Sequence, residues 1–186
     1  MKVVPRKAGD MAGEVGEPSG AMGEVKFDRM RRRHLPAVLR IERHAHPKPW
    51  TLGVFTSELA QGDARYYVVV RANGRISGYG GLMFVTDEAH VTNLAVAPAM
   101  RGCGLGTRLL ANLAREGIRR GCTAMTLEVR MGNLPAQELY RKFGFVTAGV
   151  RRNYYPETHE DALVMWLYQL PSAEVQARLR QLEEAL

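Results

Sequence analysis

At 186 residues, with 46% apolar and 24% charged content, the chain is the size of one globular domain with a core of its own. It contains no apolar run near the length of a membrane span and no signal-peptide stretch, and its two cysteines lack metal-like spacing; this excludes a disulfide framework and suits a reducing cytoplasm. The net charge of +7 favours solubility and acidic partners; its densest cluster, Arg29, Arg31, Arg32 and Arg33, lacks interleaved aromatics and reads as a solvated helix approach with at most weak ribosome or RNA contact, not sequence-specific nucleic-acid binding.

Residues 1–25 hold five glycines and two prolines and few bulky apolar groups, which predicts a flexible leader. A domain over 26–170 follows, and no repeat is visible within it. Phe27 to Met30 reads as a first strand. Leu35, Val38, Leu39 and Glu42 space as one face of a helix. Thr51 caps a second helix carrying Leu52, Phe55 and Leu59. Tyr66 to Val70 and Ile76 to Val85 flank Ala72-Asn73-Gly74, and Asn-Gly is a strong hairpin signal. His90 to Ala97 is the next strand, closed by Pro98.

Arg101-Gly102-Cys103-Gly104-Leu105-Gly106-Thr107 comes next, three glycines in five residues. Leu105, Leu109, Leu110, Leu113 and Ile118 then recur at helical spacing. Glycines let the main chain approach a ligand, and the free N–H groups of a first helical turn attract an anion. The loop is therefore either a phosphate cradle or a plain helix start. It is not a Walker loop, since no lysine follows Gly106, and its glycine spacing departs from the dinucleotide fingerprint. A strand around Met125, Leu127 and Val129 follows, then a helix over Leu134 to Phe143, then strands over Val146 to Asn153 and Ala162 to Leu170. Residues 171–186 read as an amphipathic helix capped by Ser172, with Val175, Leu179, Leu182 and Leu186 in a stripe. That stripe either packs on its own domain or serves a partner.

With its arginine, the glycine loop reads R-x-x-G-x-G and resembles the pyrophosphate signature of the GCN5-related N-acetyltransferases. Asn93-Leu94-Ala95-Val96-Ala97-Pro98 is similar to the family's acetyl-binding strand. Leu127-Glu128-Val129-Arg130, Asn133, Ala136, Leu139-Tyr140 and Phe143-Gly144-Phe145 continue the match, and Arg151 to Pro156 and Glu160 to Met165 complete it. The set resembles the RimI-type, ribosomal-protein-alanine branch in particular. Upstream, His44-Ala45-His46 and Pro49-Trp50 are similar to that branch's substrate loop. Cys103 departs from the branch, which often has a long polar residue there.

The resemblance implies an α/β (α+β) fold: a single domain with a mixed, mostly antiparallel twisted sheet flanked by helices, plus the C-terminal helix. It implies acetyl-coenzyme A as cosubstrate, held by main-chain groups of Leu94, Ala95 and Val96, by the loop Arg101 to Thr107 (Cys103, Gly104, Leu105 and Gly106 included), and by Asn133. No metal is implied. Glu128 would be the general base, directly or through water, and Tyr140 the general acid. Read as residues alone, Glu128 is equally an exposed strand carboxylate paired with Arg130, Tyr140 a core aromatic and Asn133 an ordinary helix cap. An α-amine, with a pKa of about 7.7–8.0, needs only a modest base, whereas lysine at about 10.4 needs more help. Cys103 and Cys122 have no activating base nearby in sequence, which favours direct transfer.

Trp50, Tyr154 and Tyr155 lie in proline-bearing segments suited to an extended peptide end, and Trp50 could equally be packing under its loop. The implied acceptor is the N-terminal alanine of small-subunit ribosomal protein eighteen. Broader N-terminal or lysine acetylation is the rival. A non-catalytic, coenzyme-binding, ribosome-associated module is a third possibility, and the presence of both Glu128 and Tyr140 weighs against it.

Overall fold

The computed structural model describes residues 23–186. The flexible leader expected over 1–25 lies, as far as residue 22, outside the described residues. The chain forms β1 (Val25–Arg29), α1 (Leu35–Ala45), α2 (Leu52–Leu59), β2 (Arg65–Ala72), β3 (Arg75–Val85), β4 (Glu88–Val96), α3 (Leu105–Arg119), β5 (Ala124–Arg130), α4 (Leu134–Phe143), β6 (Val146–Tyr155), β7 (Glu160–Leu167) and α5 (Ala173–Glu184). One seven-stranded sheet runs β1-β2-β3-β4-β5-β7-β6, antiparallel at every junction except the parallel pair β4–β5.

β2 reads Tyr-Val-Val-Val because it is buried on both faces. Val68 and Val70 pack with Leu109, Leu110 and Leu113 of α3, while Tyr67 and Val69 join Leu35, Val38 and Phe55 of α1 and α2. The two cores lie on opposite faces of the strand, as alternation requires. The β2–β3 hairpin turns on Asn73 and Gly74, both at positive φ (52° and 75°), so the Asn-Gly signal is realised as a tight primed turn.

Several boundaries differ from expectation. β1 begins two residues earlier, at Val25. A short three-ten turn over Arg32–His34 leads into α1, so the arginine cluster spans a strand end and that turn. β7 stops at Leu167, and Leu170 instead packs in the core against Gly117 of α3.

Ser172 caps α5 by accepting the Val175 N–H at 3.2 Å. Val175 and Leu179 are buried and Leu182 partly so, against α3 and α4. The stripe therefore faces its own domain. Arg115 of α3 pairs with Glu183 of α5 and fastens the helix from outside.

Candidate active site

β4 and β5 pair over only three rungs, Glu88 with Ala124, Ala89 with Met125 and His90 with Thr126. Beyond His90 the strands diverge, and a cavity of about 600 Å³ opens between them. One wall is Asn93 and Leu94 of β4. The other is Leu127 to Arg130 of β5, with Asn133, Ala136 and Tyr140 from α4. The loop between α1 and α2 and the segment Tyr154 to Glu157 close the far end.

Glu128 alternates with the buried Leu127 and Val129 and so turns away from the α3 core into this cleft. Its carboxylate lies 3.2 Å from the Arg151 guanidinium. The expected alternative partner, Arg130, is engaged elsewhere. Arg130 pairs with Glu157 at 2.6 Å and Glu160 at 3.3 Å, and lies 3.7 Å above the Tyr155 ring. The order β5-β7-β6 brings Arg151 to Glu128 across one intervening strand, and chain order gives no hint of that register.

Tyr140 is a core aromatic that also reaches the cleft wall. Its ring packs in the core, 5.8 Å from Phe145, and it also lines the cleft. Burial, helped by the neighbouring Tyr155, holds its phenol above the ordinary tyrosine range, so it stays protonated near neutrality. Asn133 lines the cleft and also caps α4, accepting the Ala136 N–H at 3.3 Å.

The glycine loop follows β4 and a short three-ten turn over Pro98–Met100, and none of Arg101 to Thr107 lines the cavity itself. Gly102 and Gly104 take φ of 77° and 76°, where a side chain would be strained. Gly104 is the N-cap of α3 and offers no side chain to satisfy the first N–H groups. Those groups and the helix dipole fit a phosphate, which is the test a coenzyme site has to meet. Leu105 is buried, Cys103 is exposed, and Gly106 and Thr107 lie in the first turn. Arg101 turns back onto protein carbonyls, Val96 and His44, each at 3.4 Å. Ala95 packs into the α1 core, Leu94 and Val96 pack towards the α3 core, and of the three only Leu94 lines the cleft.

Trp50, Tyr154 and Tyr155 all line the far end. Trp50 also packs on Phe55 at 5.3 Å, so it lines the cleft and supports the loop at once. Burial pushes the Tyr155 phenol up to about 12. Two lining residues carry polar groups that sequence reasoning left unassigned. Glu42 is fully buried beneath the loop, and the Asn93 Oδ1 is buried without a partner. The signal for Glu42 was a carboxylate on the apolar face of α1. Among the described residues no cluster of three metal-binding side chains occurs.

The sequence profile of the Acetyltransferase (GNAT) family matches residues 35–145. The [ribosomal protein bS18]-alanine N-acetyltransferase of Escherichia coli K12 is 41% identical over 135 residues, covering 72% of this chain and 90% of that protein. The protein of the same name from Haemophilus influenzae is 37% identical, covering 69% and 88%. The crystal structure of the Escherichia coli ribosomal-protein-S18-alanine N-acetyltransferase superposes with a TM-score of 0.72 at 37% identity, over 78% of this chain and 94% of that one. Arabidopsis thaliana Naa50, in complex with the bisubstrate analogue CoA-Ac-MVNAL, shares the fold at 21% identity, with a TM-score of 0.69 over 77% and 97%.

Proposed function

Since the chain belongs to the GNAT acetyltransferase family, we propose that it transfers acetyl from acetyl-coenzyme A to the α-amine of the N-terminal alanine of ribosomal protein bS18, directly, within a ternary complex. Its class is acetyl-coenzyme A-dependent acyltransferase, and the coenzyme supplies the thioester carbon that is attacked. The acceptor is carried over from relatives that bear that activity in their names at 37–41% identity. A ribosomal acceptor sets the reaction in the cytoplasm. Arg31 and Arg32, exposed and lining a second cavity of about 260 Å³, are the groups for weak contact with RNA. No helix among the described residues is long and apolar enough to cross a membrane.

The observation that carries the reading is a carboxylate and a protonated phenol in one cleft, where β4 and β5 part, with a glycine-capped helix start following β4 in the chain. Glu128 takes the amine proton, directly or through one water, as the nitrogen attacks. Main-chain N–H groups of β4, over Leu94 to Val96, face the oxyanion. As the carbon–sulfur bond breaks, Tyr140 gives its proton to the departing thiolate. The attack has by then made the carbon–nitrogen bond, and a proton passing from Glu128 to the tyrosinate through solvent returns both groups to their starting forms. Trp50, Tyr154 and Tyr155 flank the peptide end, and Asn133 and the loop Gly102 to Thr107 hold the coenzyme.

The test is incubation with acetyl-coenzyme A and an alanine-starting bS18 peptide, beside a blocked peptide with one internal lysine, following free thiol and peptide mass. Acetylation should fall on the α-amine. Glu128→Gln and Tyr140→Phe should each lower kcat by about 10²–10⁴-fold, the range for a general acid or base. Transfer to lysine alone, or full activity in both variants, defeats the assignment.

A further inference from the structure

Under the acceptor end of the cleft lies a carboxyl group that the transfer chemistry does not use. Glu42, in the last turn of α1, is 1% exposed. The Tyr79 hydroxyl of β3 donates to its Oε2, and the Trp50 main-chain N–H donates to its Oε1 at 2.8 Å. His46 Nε2 lies 3.5 Å from Oε2 and is itself buried without a hydrogen-bond partner. The Tyr79 hydroxyl also meets the Asn93 side chain on the cleft wall. No lysine or arginine among the described residues pairs with Glu42.

A carboxyl group taken out of water without a strong cation is costly, and an apolar side chain of similar shape serves a fold as well or better. Stability alone therefore does not account for Glu42. What the polar groups around it share is position. Tyr79 belongs to the central sheet, whereas His46 and Trp50 mark the two ends of the loop that closes the cleft. The same loop is held a second time through rings, with Trp50 on Phe55 at 5.3 Å and Phe55 on Tyr79 at 5.6 Å. Glu42 is thus the polar half of a two-part tie between sheet and loop.

We propose that Glu42 is a positioning residue for the acceptor: its carboxyl group fixes the His46–Trp50 loop as the wall against which the peptide end docks, bringing the amine opposite Glu128. This rests on the acceptor reading above for the identity of the amine, but the placement of the loop does not. Glu42 acts through Trp50, and removing it loosens acceptor binding while leaving the coenzyme end of the cleft unchanged.

The experiment uses the full chain. Replacing Trp166 by Phe leaves Trp50 as the single tryptophan, and acrylamide quenching then reports its exposure. Glu42→Ala and Tyr79→Phe should raise quenching, and Glu42→Gln less so, because its amide oxygen still accepts the Trp50 N–H. In steady-state kinetics the KM for the alanine peptide should rise about tenfold in Glu42→Ala, the scale of one lost buried hydrogen bond. Coenzyme affinity and kcat at saturating peptide should stay within about twofold, since neither depends on that bond. If Glu42→Ala does not fold, Tyr79→Phe removes one hydroxyl and carries the test. Unchanged quenching in the variants overturns the proposal, as does a parallel loss of peptide and coenzyme binding. A parent chain that acetylates no alanine peptide overturns the acceptor reading alone, because quenching still decides the part played by Glu42.

Discussion

Tyr140 sits where two demands meet. Its ring belongs to the core, and the residue also lines the cleft. Burial raises its pKa above the ordinary value of about 10, so the acid form prevails throughout the working range. A general acid of that kind puts no alkaline limb on the rate below about pH 9. Tyr140→Phe should therefore lower kcat by the same factor at about pH 7 and about pH 9, read from initial rates at saturating substrates. A factor that shrinks steeply towards pH 9 would mean that the phenol is already ionising there, against the burial argument. That Glu128 lines the cleft was legible in the sequence from strand alternation and a matching motif, and that Tyr140 does was legible from the motif alone. Arg151, which holds the Glu128 carboxylate, was not, because only the strand order β5-β7-β6 makes the two neighbours.

At the scale of elements, α5 does more than close the chain. It touches both the helix that begins at Gly104 and the helix that carries Tyr140. Leu179 is 1% exposed. Leu179→Ala should cost about 2–5 kcal/mol, as for other buried leucines, measured as a shift in the urea unfolding free energy. A helix that merely presented its stripe to a partner would tolerate the change with stability intact. The stripe at i, i+4 and i+7 was plain in the sequence, but which surface it meets was not, since periodicity gives a face and says nothing of what lies opposite. The Asn73-Gly74 turn is the opposite case. Both residues accept positive φ, so the local chemistry alone specifies the hairpin. The three-ten turn before α1 and the early end of β7 carry no comparable local signal, and ends of this kind are settled by packing.

Across the whole molecule, three phenols are held in the interior. Tyr67 sits between Glu58 Oε2 at 2.8 Å and Thr92 Oγ1 at 2.9 Å, Tyr79 is on Glu42, and Tyr140 is behind the cleft. Burial is the leading cause of a raised pKa in all three. A group whose pKa is higher folded than unfolded contributes stability that is intact below its unfolded value and lost as pH climbs towards the folded one. The denaturation midpoint should thus hold level from about pH 7 to about pH 9 and fall above about pH 10, and the tyrosinate absorbance of the three buried phenols should rise together with loss of helical circular dichroism. Ionisation of Tyr67, Tyr79 or Tyr140 near pH 10 while the fold persists would contradict this. The two halves of the sheet, meanwhile, share only the three rungs between β4 and β5. A plate joined across its middle by so short a seam flexes there more readily than along its fully laddered strands. The seam ends at His90, where the cleft opens, so the shortest ladder of the sheet and the cavity meet at one point.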